Sequence, residues 1–252
     1  MYDVQKKVYG LSVLFTGLVV FVIWEFLSNV SNLVSGLLLS DVYFVIIGAI
    51  FSFGFFTISV SAFMYLVSNC TIIKKIFFSN HYIEGTWIGF LVYEKIKNEV
   101  VFTIEQIQQT TNGVSIHGNS FWYSFDEASE SGKFRRRGRW ESQGAVFFDG
   151  IKLTYVALSM NSDVETTRTG VITYDFSCHG MKIPKVFWGR DIVYDLGSEK
   201  GRSNRLCKKE VNYVKLYGLN KAEASEEIPI MILKNMESYY LNNQELVTPL
   251  HD

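Results

Sequence analysis

The sequence predicts a two-helix transmembrane hairpin, then an all-β antiparallel up-and-down barrel of about eight strands, then a C-terminal helical segment. Three observations predict this. Two long apolar stretches, Val8–Leu27 and Val42 to about Val67, occupy the first third of the chain. Downstream of Phe78, short runs rich in Val, Ile, Thr, Tyr, Phe and Trp alternate with Gly, Asn, Asp and Ser. After Pro229 the pattern changes again, to apolar residues at three- and four-residue steps. The implied divisions are 1–78, 79–218 and 219–252.

Each apolar stretch is long enough to cross a hydrocarbon core of about 30 Å, which takes roughly 20 helical residues. The first exceeds the core of an ordinary signal peptide, and Leu27-Ser28-Asn29-Val30 is no small-residue cleavage site, so it reads as a retained anchor. Lys6 and Lys7 precede the first span, and Lys74 and Lys75 follow the second. The segment Ser28–Asp41 between them has no Lys or Arg. Positive flanks stay inside, so both termini are expected in the cytoplasm of a two-span inner-membrane protein. Glu25, at the edge of the first span, reads as a boundary residue, or alternatively as a polar contact in a helix assembly. Small residues in the second span, Gly48, Ser52, Gly54, Ser59 and Ser61 among them, allow close helix approach and suggest self-association.

The 252 residues hold 24 Lys and Arg against 25 Asp and Glu; two of those cations and three of those acids precede Lys74, leaving 22 of each from Lys74 onward. A soluble part so close to neutral argues against a DNA- or RNA-polymer binder, which carries a basic excess. It leaves room for a small anionic ligand held by a few local cations. Cys70, Cys178 and Cys207 are odd in number and show no metal-ligand spacing, so they read as free thiols in a reducing compartment. Cys70, at a membrane boundary, is also a conceivable palmitoylation site.

Strands are predicted near Ile83–Tyr93, Val100–Gln109, Val114–Tyr123, Lys133–Ser142, Ala145–Met160, Arg168–Cys178, Lys185–Tyr194 and Leu206–Leu216. The fifth segment is open to division at Asp149-Gly150. Asn112-Gly113 is the strongest hairpin signal, because a type I′ turn needs positive φ at both central residues. Regular hairpin spacing without a long crossover favours a barrel, and small barrels hold one small ligand in the mouth. In the tail, Asn220 can cap Lys221–Glu227, and Ile230, Leu233, Met236 and Tyr240 share a helical face. That helix closes a barrel end or, alternatively, binds a partner.

No HExxH, GxSxG, P-loop or GxGxxG pattern is present, and His81, His117, His179 and His251 form no metal pair. The chain reads as a non-enzyme that needs neither metal nor cofactor. Three clusters suggest binding instead. In Lys133-Phe-Arg-Arg-Arg-Gly-Arg-Trp-Glu-Ser, Arg135, Arg137 and Arg139 share one strand face. That stripe is either a ligand contact or a solvated face leaning on anionic lipid headgroups. Trp188 and Arg190 share a second face, and Arg168, Gly170, Ile172 and Tyr174 a third. Arg beside aromatics supplies a phosphate clamp and a stacking plane; ordinary barrel packing is the alternative. The candidate ligand-binding residues are thus Arg137, Arg139, Arg168, Tyr174, Trp188 and Arg190.

Glu84-Gly85-Thr86-Trp87-Ile-Gly opens the first strand. It resembles the Gly-x-Trp opening of calycin barrels such as lipocalins and avidins, which implies that Trp87 closes one barrel end. Together with the two spans, Arg168-Thr-Gly-Val-Ile-Thr-Tyr174 and Phe187-Trp-Gly-Arg-Asp191, the chain resembles the SMODS-associating, two-transmembrane, β-strand-rich effectors of bacterial CBASS antiphage defence. The resemblance implies a barrel that binds a cyclic di- or trinucleotide messenger, assembles into homo-oligomers, and disrupts the inner membrane of the infected cell. The calycin likeness alone implies a tethered carrier or sensor of a small apolar ligand. A structural tether without ligand is the remaining alternative.

Overall fold

The computed structural model describes residues 2–33, 41–93, 99–124, 134–161, 167–176, 183–195, 198–210, 237–243 and 245. The chain divides into two compact units, Met1–Phe78 with Thr110–Asn112, and Ser79–Gln109 with Gly113–Asp252.

The first unit contains α1 (Tyr2–Leu33), α2 (Asp41–Asn69) and α3 (Thr71–Phe78). Val4–Phe26 and Gly48–Asn69 are each long and apolar enough to cross a membrane, with mean hydropathy 1.9. Phe15 of α1 meets Phe55 and Phe63 of α2 at ring-centroid distances of 5.8 and 6.0 Å. Ser12, Thr16 and Ser59 are buried, while Leu14, Phe21, Ile50 and Phe53 are exposed. Small polar residues inside and large apolar ones outside invert the arrangement that water selects, and suit hydrocarbon. Ser12 Oγ donates to the Val8 carbonyl at 2.9 Å and Ser52 Oγ to the Gly48 carbonyl at 2.7 Å, so those hydroxyls are satisfied within their own helices.

The second unit is a closed barrel of eight antiparallel strands in chain order, β1 (Gly85–Tyr93), β2 (Glu99–Gln109), β3 (Val114–Ser124), β4 (Phe134–Phe148), β5 (Lys152–Asn161), β6 (Thr167–Asp175), β7 (Val186–Asp195) and β8 (Ser198–Glu210). β8 closes on β1, with Gly89 opposite Cys207 and Phe90 opposite Leu206. Closure leaves no free sheet edge. Gly89 permits the seam: a Cβ there would stand 2.1 Å from the Leu206 carbonyl oxygen.

The strand count matches the sequence expectation, but three connections differ. Gln143-Gly144 is no turn: β4 runs through it to Phe148, with a register shift between Gln143 and Phe147. Gly144, at φ 66°, absorbs the irregularity. The reversal comes at Asp149-Gly150, where Asp149 Oδ1 accepts from the amides of Ile151 and Lys152 at 2.8 and 2.6 Å. These two amide donors hold the Asp149 carboxyl below its ordinary range. Gly150 sits at φ 105° with its carbonyl 2.9 Å from His81 Nδ1.

The Asn112-Gly113 signal marks a hairpin but not a type I′ turn. Gln109 pairs with Val114, so the loop has four residues, and neither Asn112 nor Gly113 has positive φ. The Asn112 amide donates to Thr110 Oγ1 at 3.2 Å within it. The last strand starts at Ser198 and runs through Gly201, which reads as part of a turn; residues 211–216, assigned to that strand from sequence, lie outside the described residues.

Inside one end, Ile83, Trp87, Ile107, Leu153, Phe176 and Phe187 form a continuous apolar plug. Trp87 is fully buried there, donates Nε1–H to the Ile83 carbonyl at 2.9 Å, and packs edge-on against Phe176 at 5.4 Å. Outside, Ile88, Phe90, Val100, Phe102 and Leu206 form a second apolar cluster. A short C-terminal helix over 237–241 covers it, with Tyr240 edge-on to Phe90 at 4.9 Å. That helix therefore packs on the barrel wall instead of capping an end; residues 220–236, with the expected cap and most of its apolar face, lie outside the described residues.

Candidate functional site

Beyond the plug, the barrel interior becomes polar. Alternation along β2, Val101-Phe102-Thr103-Ile104-Glu105, turns Glu105 inward. The same period turns Asp191 inward from β7 and Ser203 and Arg205 inward from β8. Arg205 Nη1 forms an ion pair with Glu105 Oε1, and Nη2 one with Asp191 Oδ2 at 2.5 Å. Arg205 Nη1 also donates to the Tyr174 hydroxyl at 2.9 Å.

The remaining hydrogen bonds have one consistent direction. Tyr174 gives its only hydroxyl proton to Glu105 Oε2. The 2.7 Å bond between the Tyr155 and Tyr174 hydroxyls is therefore donated by Tyr155. Tyr155 in turn accepts from Trp140 Nε1 at 3.2 Å. Side chains from β2, β4, β5, β6, β7 and β8 thus converge on one buried network. The Arg205 guanidinium lies 5.0 Å from the Trp140 ring centroid and 5.6 Å from that of Tyr174, within cation–π range.

Burial pushes Glu105 above its ordinary carboxylate range, against the opposing pull of Arg205 and the Tyr174 hydrogen bond. Burial also raises Tyr155 and Tyr174 well above theirs, so both remain phenols. Burial pulls the Arg205 pKa down, but Asp191 and Glu105 outweigh it and the guanidinium stays charged.

A cavity of about 60 Å³ adjoins this network, lined by Leu91, Ser120, Gly138, Trp140, Ser159, Arg168, Gly170, Asp191 and Arg205, among others. Gly138 and Gly170 open the space a side chain would fill. Three of the lining residues carry a buried polar atom with no hydrogen-bond partner among the described residues: Arg168 Nε, Asp191 Oδ1 and Arg205 Nε. A buried polar group without a partner costs about 1–3 kcal/mol, so these atoms call for water or a ligand.

The structure brings two of the sequence candidates to this site. Arg168 lines the cavity, and Tyr174 belongs to the network beneath it. It does not bring Arg139, Trp188 or Arg190 there. Arg139 is exposed, with Nη2 3.7 Å from Met160 Sδ. Trp188 is half-buried in the outer apolar cluster, and Arg190 is exposed. The reason is register: β7 turns Phe187, Gly189 and Asp191 inward, so Trp188 and Arg190 point out. Arg137 is the extra residue of a bulge, since Ser120 pairs with Gly138 and Phe121 with Arg136; its side chain lies outside the described part.

Sequence reasoning missed Glu105, Asp191, Ser203 and Arg205. Two signals were available. Glu105 is the one acid within the apolar run Val100–Ile107, and Arg205 directly precedes Leu206-Cys207 near the end of the barrel. A charge embedded in an otherwise buried strand is paired or functional.

No protein-family model matches the chain, and comparison with curated proteins gives no match.

Proposed function

We propose that the protein is a membrane-anchored effector whose barrel binds a cyclic di- or trinucleotide and passes that event to the two apolar helices by self-assembly. The observation that carries this is the polar end of the barrel: Arg168, Asp191 and Arg205, each with a polar atom unpartnered among the described residues, line a cavity flanked by Trp140. A carrier of apolar ligands needs a mostly apolar cavity, and burying such a ligand here would leave those three atoms unsatisfied. Two helices able to cross a bilayer support an anchored protein. The flanking lysines support cytoplasmic termini at an inner membrane. The resemblance to two-span CBASS effectors supports a cyclic nucleotide as ligand and membrane disruption in antiphage defence as outcome. Nothing in this reading asks the chain for catalysis or a cofactor.

Size constrains the mode of binding. Ligand pockets are usually about 300–1,000 Å³, and this cavity is about 60 Å³. One moiety of a cyclic nucleotide enters, and the rest lies across the mouth. Assembly then requires that the nucleotide bind the assembled state more tightly than the resting one.

The test is thermal unfolding of the full chain in detergent micelles with a panel of cyclic di- and trinucleotides and their linear counterparts. A ligand at about 100 times its dissociation constant adds roughly 2.7 kcal/mol. Light scattering on the same samples reads self-association. Stabilisation and assembly with one cyclic nucleotide support the proposal; no response to any of them overturns it. The apolar plug favours a second reading, a tether with a filled barrel and no ligand, which that negative result would support.

A further inference from the structure

The unpartnered atoms at the cavity form a pattern of donors and acceptors. Among the described residues, Asp191, 6% exposed, has in Oδ1 an acceptor without a donor, and Arg205, 2% exposed, has in Nε–H a donor without an acceptor. Arg168 Nε–H is a second donor. Oδ2 of Asp191 and both terminal nitrogens of Arg205 are already occupied inside the network.

Charge and size then narrow what fits. The ionisable groups here are Arg168, Arg205, Glu105 and Asp191, whose formal charges cancel. A phosphate brings only acceptors and a negative charge. It would satisfy the two Arg Nε–H groups, but would place an anionic oxygen against Asp191 Oδ1 in a water-poor interior. An ammonium or guanidinium has the opposite fault: it would satisfy Asp191 and face two Arg donors. A neutral group carrying an acceptor next to an N–H donor satisfies both kinds of atom and adds no buried charge. The hydrogen-bonding edge of a nucleobase has that pattern. At about 60 Å³ the cavity is well below the roughly 300–1,000 Å³ of pockets that enclose a whole ligand, which suits the edge of a flat ring beside Trp140 with the sugar and phosphate outside.

We infer that the cavity reads the donor–acceptor edge of one nucleobase, with Asp191 Oδ1 accepting its N–H and an Arg Nε–H donating to its acceptor, while the phosphates remain outside. This rests on the nucleotide-binding reading proposed above and deepens it. Asp191 is then the residue that selects among bases.

The experiment uses the full chain in detergent micelles and a responding cyclic nucleotide from the panel. Uncharged nucleosides, their forms N-methylated at the donor nitrogen (the ring N–H of guanosine and uridine, both hydrogens of the exocyclic amine of adenosine and cytidine) and inorganic phosphate are added as competitors. The expected result is competition by at least one nucleoside, loss of that competition by about tenfold or more on N-methylation, and none by phosphate at equal concentration. Methylation removes the donor without touching the protein, so the test does not depend on any variant folding. Asp191→Asn is expected to change the order of preference among bases. Equal competition by methylated and unmethylated nucleosides, or displacement by phosphate alone, overturns the inference and leaves cyclic-nucleotide binding standing. If no cyclic nucleotide binds at all, the reading beneath it fails and the inference with it.

Discussion

Glu105 and Arg205 stand 100 residues apart in sequence and form an ion pair inside the barrel, with side chains 0% and 2% exposed. Taking two charges out of water costs several kcal/mol per ion, which the pair regains only through good geometry and further hydrogen bonds. Here Tyr174 and Asp191 supply those bonds. The pair therefore sets the position of the Arg205 Nε–H at the cavity more than it stabilises the fold.

Arg205→Met is expected to destabilise the barrel by about 3–5 kcal/mol, because Glu105 and Asp191 are left as buried, unpaired carboxylates. The triple change Glu105→Leu, Asp191→Leu, Arg205→Met is expected to recover most of that loss while abolishing ligand binding. Denaturant unfolding of the full chain in micelles checks the first expectation, and nucleotide titration the second.

Glu105 also sets a pH dependence. Its folded-state pKa lies above the unfolded value of about 4.5, chiefly through burial. The folded state therefore binds the extra proton within that window. Its contribution to stability is fully present below the unfolded value and is lost as pH rises through the folded one. Melting temperature measured as pH rises from 4 is expected to carry this decline in the native chain and not in Glu105→Gln. A decline of the same size in both would assign it to another group.

Gly118 makes room for the Trp140 indole: a Cβ at 118 would stand 2.1 Å from Trp140 Cζ2. Gly118→Ala is expected to cost about 1–3 kcal/mol by overpacking and to displace Trp140 from the cavity wall. Trp140→Phe in the same chain is expected to return part of the stability. Thermal unfolding of the single and double variants gives the coupling between the sites.

By the positive-inside rule, the lysine flanks predict that the segment between α1 and α2 lies on the far side of the membrane from both termini. A thiol introduced by Ser35→Cys is expected to react with an impermeant maleimide in intact cells. The native thiols Cys70 and Cys178 are expected to react only after permeabilisation. Labelling of the native thiols in intact cells would reverse the topology.

Much of the fold was legible because it follows from local rules. Helices that face lipid must be apolar over some 20 residues. Strands that are half inside a barrel must alternate, and Gly85-Thr86-Trp87 marks where they begin. Boundaries were less legible where a glycine bends a strand without reversing it. Gly144 in β4 and Gly201 in β8 carry the same local signal as a turn. Only pairing partners tell a bend from a reversal.

The sequence by itself determined two apolar spans, an eight-strand antiparallel series, and the shared face of Arg168, Gly170, Ile172 and Tyr174. The tertiary structure alone decided which face of each strand turns inward. A one-residue step in register exchanges the two faces, and the bulge at Arg137 is such a step. That is why Arg139, Trp188 and Arg190 stand on the outer wall while Asp191, one residue beyond Arg190, meets the cavity. Closure of β8 on β1 then brings Arg205 to Glu105, a relationship that no local pattern encodes, because it depends on summed strand register around the whole barrel.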